Sequence, residues 1–449
     1  MEDGTDISTL AEESRDLLDD AVAMRRVLHQ WPELGNDLPI TREQVLGSLE
    51  GLPLEVTLHD STSGIVAVLD GAAPGPTILL RGDMDALEMP EDTGLDYGSK
   101  VDGSMHACGH DTHTAMLAGA ARLLSTHRDQ LAGRVLFMFQ PGEEGHHGAK
   151  FMLEEGLLDV PALADGSPSP VDAAFALHIT SSLPTGWVAT KGGPVMASSD
   201  RLTIRLSGKG GHASEPHRTL DPIPVACEVV QALQTMVTRR IDVFDPAVVT
   251  VARITAGTTS NVIPESALIE GTIRAVSEST RRKVHDGIRR VAEGIAAAHE
   301  IEVEVEVVDG YPVTSNNSDF ATFASSVAGE LIGAGQVVQL PHPVMGAEDF
   351  SYMAQQAPGC FLNLGVRHPS WDEIYPVHRA DFRLDEDALF YLASRGIDPA
   401  TARDMLLTAF ADQALGLADD AGLRDWLQPR LAAALPVLPK AANTREVRP

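Results

Sequence analysis

Cys108 and His110 stand two residues apart in Ser104-Met105-His106-Ala107-Cys108-Gly109-His110-Asp111-Thr112-His113, at the mouth of an expected helix. A thiolate and an imidazole at that spacing form a compact ligand pair of the kind transition metals select. A Cys near a His is also common in ordinary cores, so the pair alone does not decide the chemistry. A strand expected over 135–139 runs into Gln140-Pro141-Gly142-Glu143-Glu144-Gly145. That junction sets two adjacent carboxylates at the C-terminal rim of a sheet, where open α/β folds hold their ligands. Neighbouring residues there point in different directions, so one carboxylate can ligate a metal while the other faces the substrate as general base. In isolation the two glutamates read equally well as solvated surface. His178 closes an expected strand over 173–177, and His378 follows a loop in Tyr375-Pro376-Val377-His378-Arg379. Taken singly, the first reads as structural and the second as an exposed loop histidine. Taken together, one Cys, three His and two Glu supply five ligands and a base, the count a two-metal hydrolase needs. Two cations about 3.5–4 Å apart, bridged by a thiolate, would activate a water, polarise a carbonyl and stabilise an oxyanion. That chemistry suits hydrolysis of an amide.

The elements that must position these groups alternate between strand and helix. Apolar spacing predicts an N-terminal helix over 9–31, buried strands near 64–69 and 77–80, and a helix over 112–126 capped by Asp111 or Thr112. A helix over 149–157 and a strand over 173–179 follow, which implies a layered α/β domain. Past residue 200 the pattern becomes strand 201–207, helix 221–240, strands 247–256 and 267–276, helix 278–299 and strand 301–308. Written in order this is β-α-β-β-α-β, the split ferredoxin-like arrangement. The expected organisation is a catalytic domain over 1–198 and 310–390, an inserted unit over 199–309, and an atypical helical tail over 391–449. Residues 161–170 read as a loop rich in Ser, Pro, Ala and Gly.

Composition narrows the functions. At 449 residues, 43% hydrophobic and 22% charged, the chain has ordinary globular usage. A formal net charge of -30 argues against nucleic acid and anionic membrane surfaces as partners. Cys108, Cys227 and Cys360 are an odd and sparse set, so a reducing compartment is expected rather than a disulfide framework. The acidic N-terminus lacks a signal-like pattern and no apolar run approaches a membrane span, so the expected location is the cytoplasm.

The motifs also carry a resemblance. The run 105–111, Leu80-Arg81-Gly82-Asp83-Met84-Asp85-Ala86-Leu87, Gln140–Gly145, Gly208-Lys209-Gly210-Gly211-His212-Ala213-Ser214-Glu215-Pro216-His217, Asn261-Val262-Ile263-Pro264 and Gly346-Ala347-Glu348-Asp349-Phe350 resemble the aminoacylase/carboxypeptidase superfamily of metallohydrolases. The branch they are most similar to contains hippurate, N-acyl-amino-acid and auxin-conjugate hydrolases. The resemblance implies a phosphorylase/hydrolase-like α/β catalytic domain holding two divalent ions, Zn, Mn, Co or Ni. It implies Cys108 as the bridging thiolate, His110, Glu144, His178 and His378 as the other ligands, and Glu143 as general base. Asp85 is implied behind a ligating imidazole, and Asp83 is not expected to ligate. The inserted unit would be a lid and dimerisation domain, with His212 reaching the partner's site and Asn261 and Arg274 gripping the substrate carboxylate. The substrate class implied is a small N-acyl amino acid. His146 and His147 depart from the pattern and add two imidazoles near the site. Residues 385–430 instead resemble the C-terminal region of the Suf scaffold proteins, and none of the three cysteines falls there. A second reading keeps the fold but makes the chain a catalytically reduced binding or assembly module.

Overall fold

The computed structural model describes residues 7–160 and 170–389, and an eight-stranded mixed sheet carries most of the site. Its order is Glu55–Leu58, Ile65–Asp70, Ala132–Gln140, Ala73–Asp83, Val171–Pro184, Gly359–Arg367, Val188–Thr190 and Val337–Gln339. The third to sixth of these run parallel, so their C-terminal ends share one rim. Alternation explains why helices must cover both faces. Val135, Phe137 and Phe139 pack with Leu117, Ala121 and Leu124 of the helix His110–Thr126. Leu136 and Met138 pack on the opposite face, with Met152 of Gly148–Glu154 and Phe350 and Met353 of Phe350–Ala354. Each fully buried side chain of this size contributes about 1.5–3 kcal/mol, which fixes the rim as a rigid platform.

Residues 200–309 form a second sheet in the order Ala247–Ala256, Ser266–Ala275, Asp200–Ser207, Glu302–Asp309, antiparallel throughout. Leu202, Ile204 and Leu206 alternate inward against Val225, Val229 and Leu233 of Pro222–Arg240 and Val284 and Ile288 of Glu278–Ala298. The chain crosses between the two sheets at 196–200 and again at 309–314.

Three expected boundaries move. The N-terminal helix is two, Ile7–Asp16 and Leu18–Gln30, broken where the Leu17 N–H turns back to the Ser14 carbonyl at 3.2 Å. The site helix begins at His110, not 112, and Asp111 does not cap it: Gly109 occupies the N-cap without a side-chain bond. The Asp111 carboxylate is instead drawn into a buried pair with Arg25 at 2.9 Å and His29 at 2.8 Å. The strand bearing His178 continues to Pro184, because its parallel partner Gly359–Arg367 keeps pairing past that point. The loop expected at 161–170 lies, from 161 to 169, outside the described residues, as does the tail over 391–449. Among the described residues, no helix is long and apolar enough to cross a membrane.

Candidate metal centre and active site

Four separate segments converge above the rim. Cys108 precedes the site helix, separated from His110 by Gly109, whose φ is +83° and whose place would put a Cβ 2.2 Å from Ile179 Cδ1. Only glycine tolerates both conditions, so the placement of Cys108 and His110 depends on it. Cys108 Sγ lies 3.3 Å from His178 Nε2 and 3.3 Å from His378 Nε2. His378 Nε2 is 3.3 Å from Glu144 Oε1, which in turn is 4.0 Å from His110 Nε2. His378 is held in a left-handed conformation at φ 63° by its N–H, which donates to the Ala107 carbonyl at 2.8 Å. Strain of this kind persists where surrounding contacts over-determine the backbone.

The donor set fits divalent cations. His110 Nε2 and Glu144 Oε1 are buried and make no hydrogen bond among the described residues, which is unusual for such groups. Cys108 with His110 and His178, and Cys108 with Glu144 and His378, each bring ligand atoms within 4.8 Å of one another. Sharing Cys108 between both triads matches a bridging role. Burial alone would push the Cys108 thiol up, but the charges of His178 and His110 bring it down to about 6, which favours the thiolate. Burial lowers the basicity of His178, and Cys108 more than reverses this, raising it to about 9.

Glu143 and Glu144 divide as their junction geometry allows. Glu143 is 6% exposed, and burial, then Glu348, Glu144 and Asp349, raise its carboxyl well above the usual range. Glu144 feels burial too, but the close approach of His378 Nε2, at 3.3 Å, and the charge of His110 hold it low. Asp85 accepts the Glu143 N–H at 2.9 Å and the Glu144 N–H at 3.0 Å, and its Oδ1 lies 3.4 Å from His110 Nδ1. One carboxylate thus holds the glutamate turn and faces the His110 imidazole, the position from which a carboxylate orients an imidazole that binds a metal.

Asp83 is occupied elsewhere. Its oxygens meet Arg81 Nη1 at 2.7 Å and His113 Nδ1 at 2.5 Å, although His110 Nε2 is only 3.6 Å away. Arg81 also pairs with Glu348 at 2.7 Å, Asp349 at 3.0 Å and Gln140 at 2.8 Å, all buried. His113 accepts the Ile179 N–H at 3.0 Å on its other nitrogen, so it is a strut. His106 is buried, and burial holds it neutral at about 3. His146 is exposed, and His147 turns toward Tyr352 Oη at 2.9 Å, so neither joins the cluster.

The remaining expected residues sit in the second sheet's unit and are not gathered into one place. His212 and Asn261 are neighbours: His212 pairs with Val262, and the Asn261 carbonyl accepts the Ala213 N–H at 3.1 Å. His212 Nδ1 bonds Ser214 Oγ at 2.8 Å, and Asn261 Oδ1 accepts from Thr259 Oγ1 at 3.1 Å, so these bonds stay within that unit. Arg274 lies near the opposite end of Ser266–Ala275, beside the chain crossing, with burial lowering its basicity. At about 3.4 Å per residue, that strand separates Arg274 from the His212 end by more than 20 Å. Sequence reasoning assigned no role to Tyr311, Gln140, Glu348 or Asp349, which surround the glutamate turn. Glu348 and Asp349 stood in a quoted motif; Tyr311 had no local signal.

A thiol shifted toward the thiolate, imidazoles and carboxylates gathered beside a buried glutamate are the equipment of a metal-dependent amidohydrolase or peptidase. Comparison with known proteins agrees, and the chain belongs to Peptidase family M20/M25/M40, whose sequence profile matches residues 79–393. It is 39% identical over 387 residues to thermostable carboxypeptidase 1 of Saccharolobus solfataricus, covering 85% of this chain and 95% of that protein. It is 40% identical to an N-acetylcysteine deacetylase of Bacillus subtilis (82% and 92% covered) and 38% identical to the IAA-amino acid hydrolase ILR1-like 4 of Arabidopsis thaliana (88% and 87%). A crystal structure of a dinuclear metal-binding peptidase of the M20 family from Bacillus subtilis superposes with a TM-score of 0.73 at 35% identity, covering 88% and 99% of the two chains. A second profile, the SufBD core domain of iron–sulfur cluster assembly, matches residues 378–410.

Proposed function

We propose that the chain hydrolyses the amide bond of N-acyl amino acids, such as acetyl, benzoyl or indole-acetyl conjugates, to a carboxylate and a free amino acid. The observation that carries this reading is the convergence of Cys108, His110 and His178, and of Cys108, Glu144 and His378, into two triads whose ligand atoms lie within 4.8 Å of one another, beside the buried Glu143. Cys108, His110, Glu144, His178 and His378 would hold two divalent cations, with Cys108 common to both triads. Bound there, the cations supply Lewis acidity to water and to the scissile carbonyl. Glu143 takes the proton from the attacking water and delivers it to the leaving amine. Its raised proton affinity suits a group that must hold that proton between the two steps. Names of relatives that deacetylate N-acetylcysteine or cleave IAA–amino acid conjugates support a small N-acyl amino acid as substrate.

A homodimer through the inserted unit fits the same reading. The strand Ala247–Ala256 is an edge, with Val248 and Ile254 exposed, and the preceding loop leaves Phe244 93% exposed. Unpaired edges and apolar tips are templates for pairing. Such pairing is how His212 and Asn261 would reach a site that their own chain does not bring them to. The test uses hippurate, N-acetyl amino acids and indole-acetyl conjugates. Glu143→Ala should abolish turnover with metal still bound, and Cys108→Ala should lose metal; full turnover by Glu143→Ala overturns the mechanism.

A further inference from the structure

The glutamate turn is gripped from two sides, and only one grip comes from the catalytic motifs. Asp85 takes the N–H groups of Glu143 and Glu144. Opposite it, Tyr311 Oη donates to the Glu143 carbonyl at 2.5 Å and accepts the Gly145 N–H at 2.8 Å and, more weakly, the His147 N–H at 3.4 Å. Tyr311 is 6% exposed, and burial, with Asp349 and Glu143 nearby, keeps the phenol protonated and therefore able to donate. Tyr311 also sits at the chain crossing between the two sheets. Its carbonyl accepts the Ser199 N–H at 2.9 Å, and the preceding Gly310 donates its N–H to Asp200 at 3.1 Å. Arg281 of the inserted unit holds both Asp200 and the Gly310 carbonyl, the latter at 3.3 Å. A Cβ at Gly310 would lie 1.9 Å from the Ser199 carbonyl oxygen, so the two crossing strands are packed to contact.

From this geometry we infer that Tyr311 is a positioning residue: its hydroxyl sets the orientation of the Glu143–Glu144 pair and ties that orientation to the crossing into the inserted unit. Asp85 fixes where the Glu143 and Glu144 N–H groups lie. The Glu143 carbonyl, and with it the peptide plane from which Glu144 departs, is fixed by Tyr311 and by the turn's own Gly145 N–H at 2.7 Å. A carboxylate misplaced by about 1 Å at a reacting centre can cost about 100-fold. This inference rests on Glu143 acting as the base, and the test separates the two.

The experiment uses the full-length, metal-loaded enzyme and the variant Tyr311→Phe, with Tyr311→Leu as a packing contrast. Measured are kcat and KM on the best N-acyl amino acid, bound metal, Tm, and hydrogen exchange over 140–148. Expected for Tyr311→Phe is a kcat lower by about 10- to 100-fold with KM within about threefold, unchanged metal content and faster exchange at the Gly145 amide. A purely structural ring would leave Tyr311→Phe at wild-type kcat and penalise only Tyr311→Leu, which overturns the inference. Unprotected exchange of the Gly145 amide in the wild-type protein also overturns it, whether or not the variants fold. If Glu143→Ala is inactive while Tyr311→Phe has wild-type kcat, this inference alone falls; if Glu143→Ala is active, the proposed function falls.

Discussion

Replacing Asp85 with Asn keeps the side chain's shape while removing its charge. In the native site Asp85 is 1% exposed, its two oxygens each accept a turn N–H, and Oδ1 faces His110. The amide has one oxygen, so one backbone N–H keeps a neutral bond and the other meets an NH2 donor. Hydrogen bonds to charged groups contribute about 1.5–3 kcal/mol against about 0.5–1.5 for neutral ones, and an unsatisfied buried donor costs about 1–3 kcal/mol. The local penalty is therefore roughly 2–5 kcal/mol, which a rotation of the turn would relieve. Rotation moves Glu143 and Glu144 together, and His110 loses the carboxylate that orients it. Loss of such an outer partner weakens metal binding about 10- to 100-fold, or about 1.4–2.7 kcal/mol. Chelator competition measures that affinity, with kcat and thermal unfolding recorded on the same preparation. An Asp85→Asn protein with a lowered Tm but wild-type metal affinity and kcat would refute the reasoning.

Two further outcomes follow from the buried charges. Arg81→Met should destabilise the fold by about 3–5 kcal/mol in urea unfolding, since it leaves Asp83, Glu348 and Asp349 without their shared guanidinium; a loss under about 1 kcal/mol contradicts this. Asp200 carries the pH dependence of the crossing: burial raises its carboxyl, but bonds from His285 and Arg281 outweigh burial and leave it lowered. A depressed folded value means stabilisation present above the unfolded value of about 3.9 and lost as pH falls through the folded one. The stability gap between wild type and Asp200→Asn should therefore shrink below about pH 4, and a gap that grows with acid would reverse the assignment.

How much of this was legible in the sequence depended on range. Cys108, His110, Glu143 and Glu144 stood out because each pair is local and the strand over 135–139 announces itself by an unbroken apolar run. His178 was placed at a strand end because polarity rises there, yet the ladder with Gly359–Arg367 carries the strand on to Pro184. Asp111 looked like a helix cap because caps are local, and a charge from Arg25, 86 residues away, claimed it instead. Tyr311 lies 168 residues from the carbonyl it holds, and nothing in its neighbours' spacing hints at that partner. Local chemistry could be read; the residues that aim it are assembled by topology.

The charge count around the rim explains why a cation-free reading of this site is difficult to sustain. Asp83, Asp85, Glu143, Glu348 and Asp349 are all buried, Glu144 is nearly so, and Cys108 adds a thiol shifted toward ionisation. Among the described residues, Arg81 is the one guanidinium paired directly with this group, and it is already shared among three carboxylates. Unpaired buried charge costs several kcal/mol per ion, so one guanidinium cannot balance all of these carboxylates, and some must take up protons or gain counter-charge. The raised carboxyls are Glu143 and Asp349, the latter to about 7, with burial leading and Arg81 opposing. Glu144, by contrast, stays low because His378 and His110 face it. Glu143 and Asp349 thus have the higher proton affinity, while Glu144 and Cys108 both feel the imidazoles of His110 and His378.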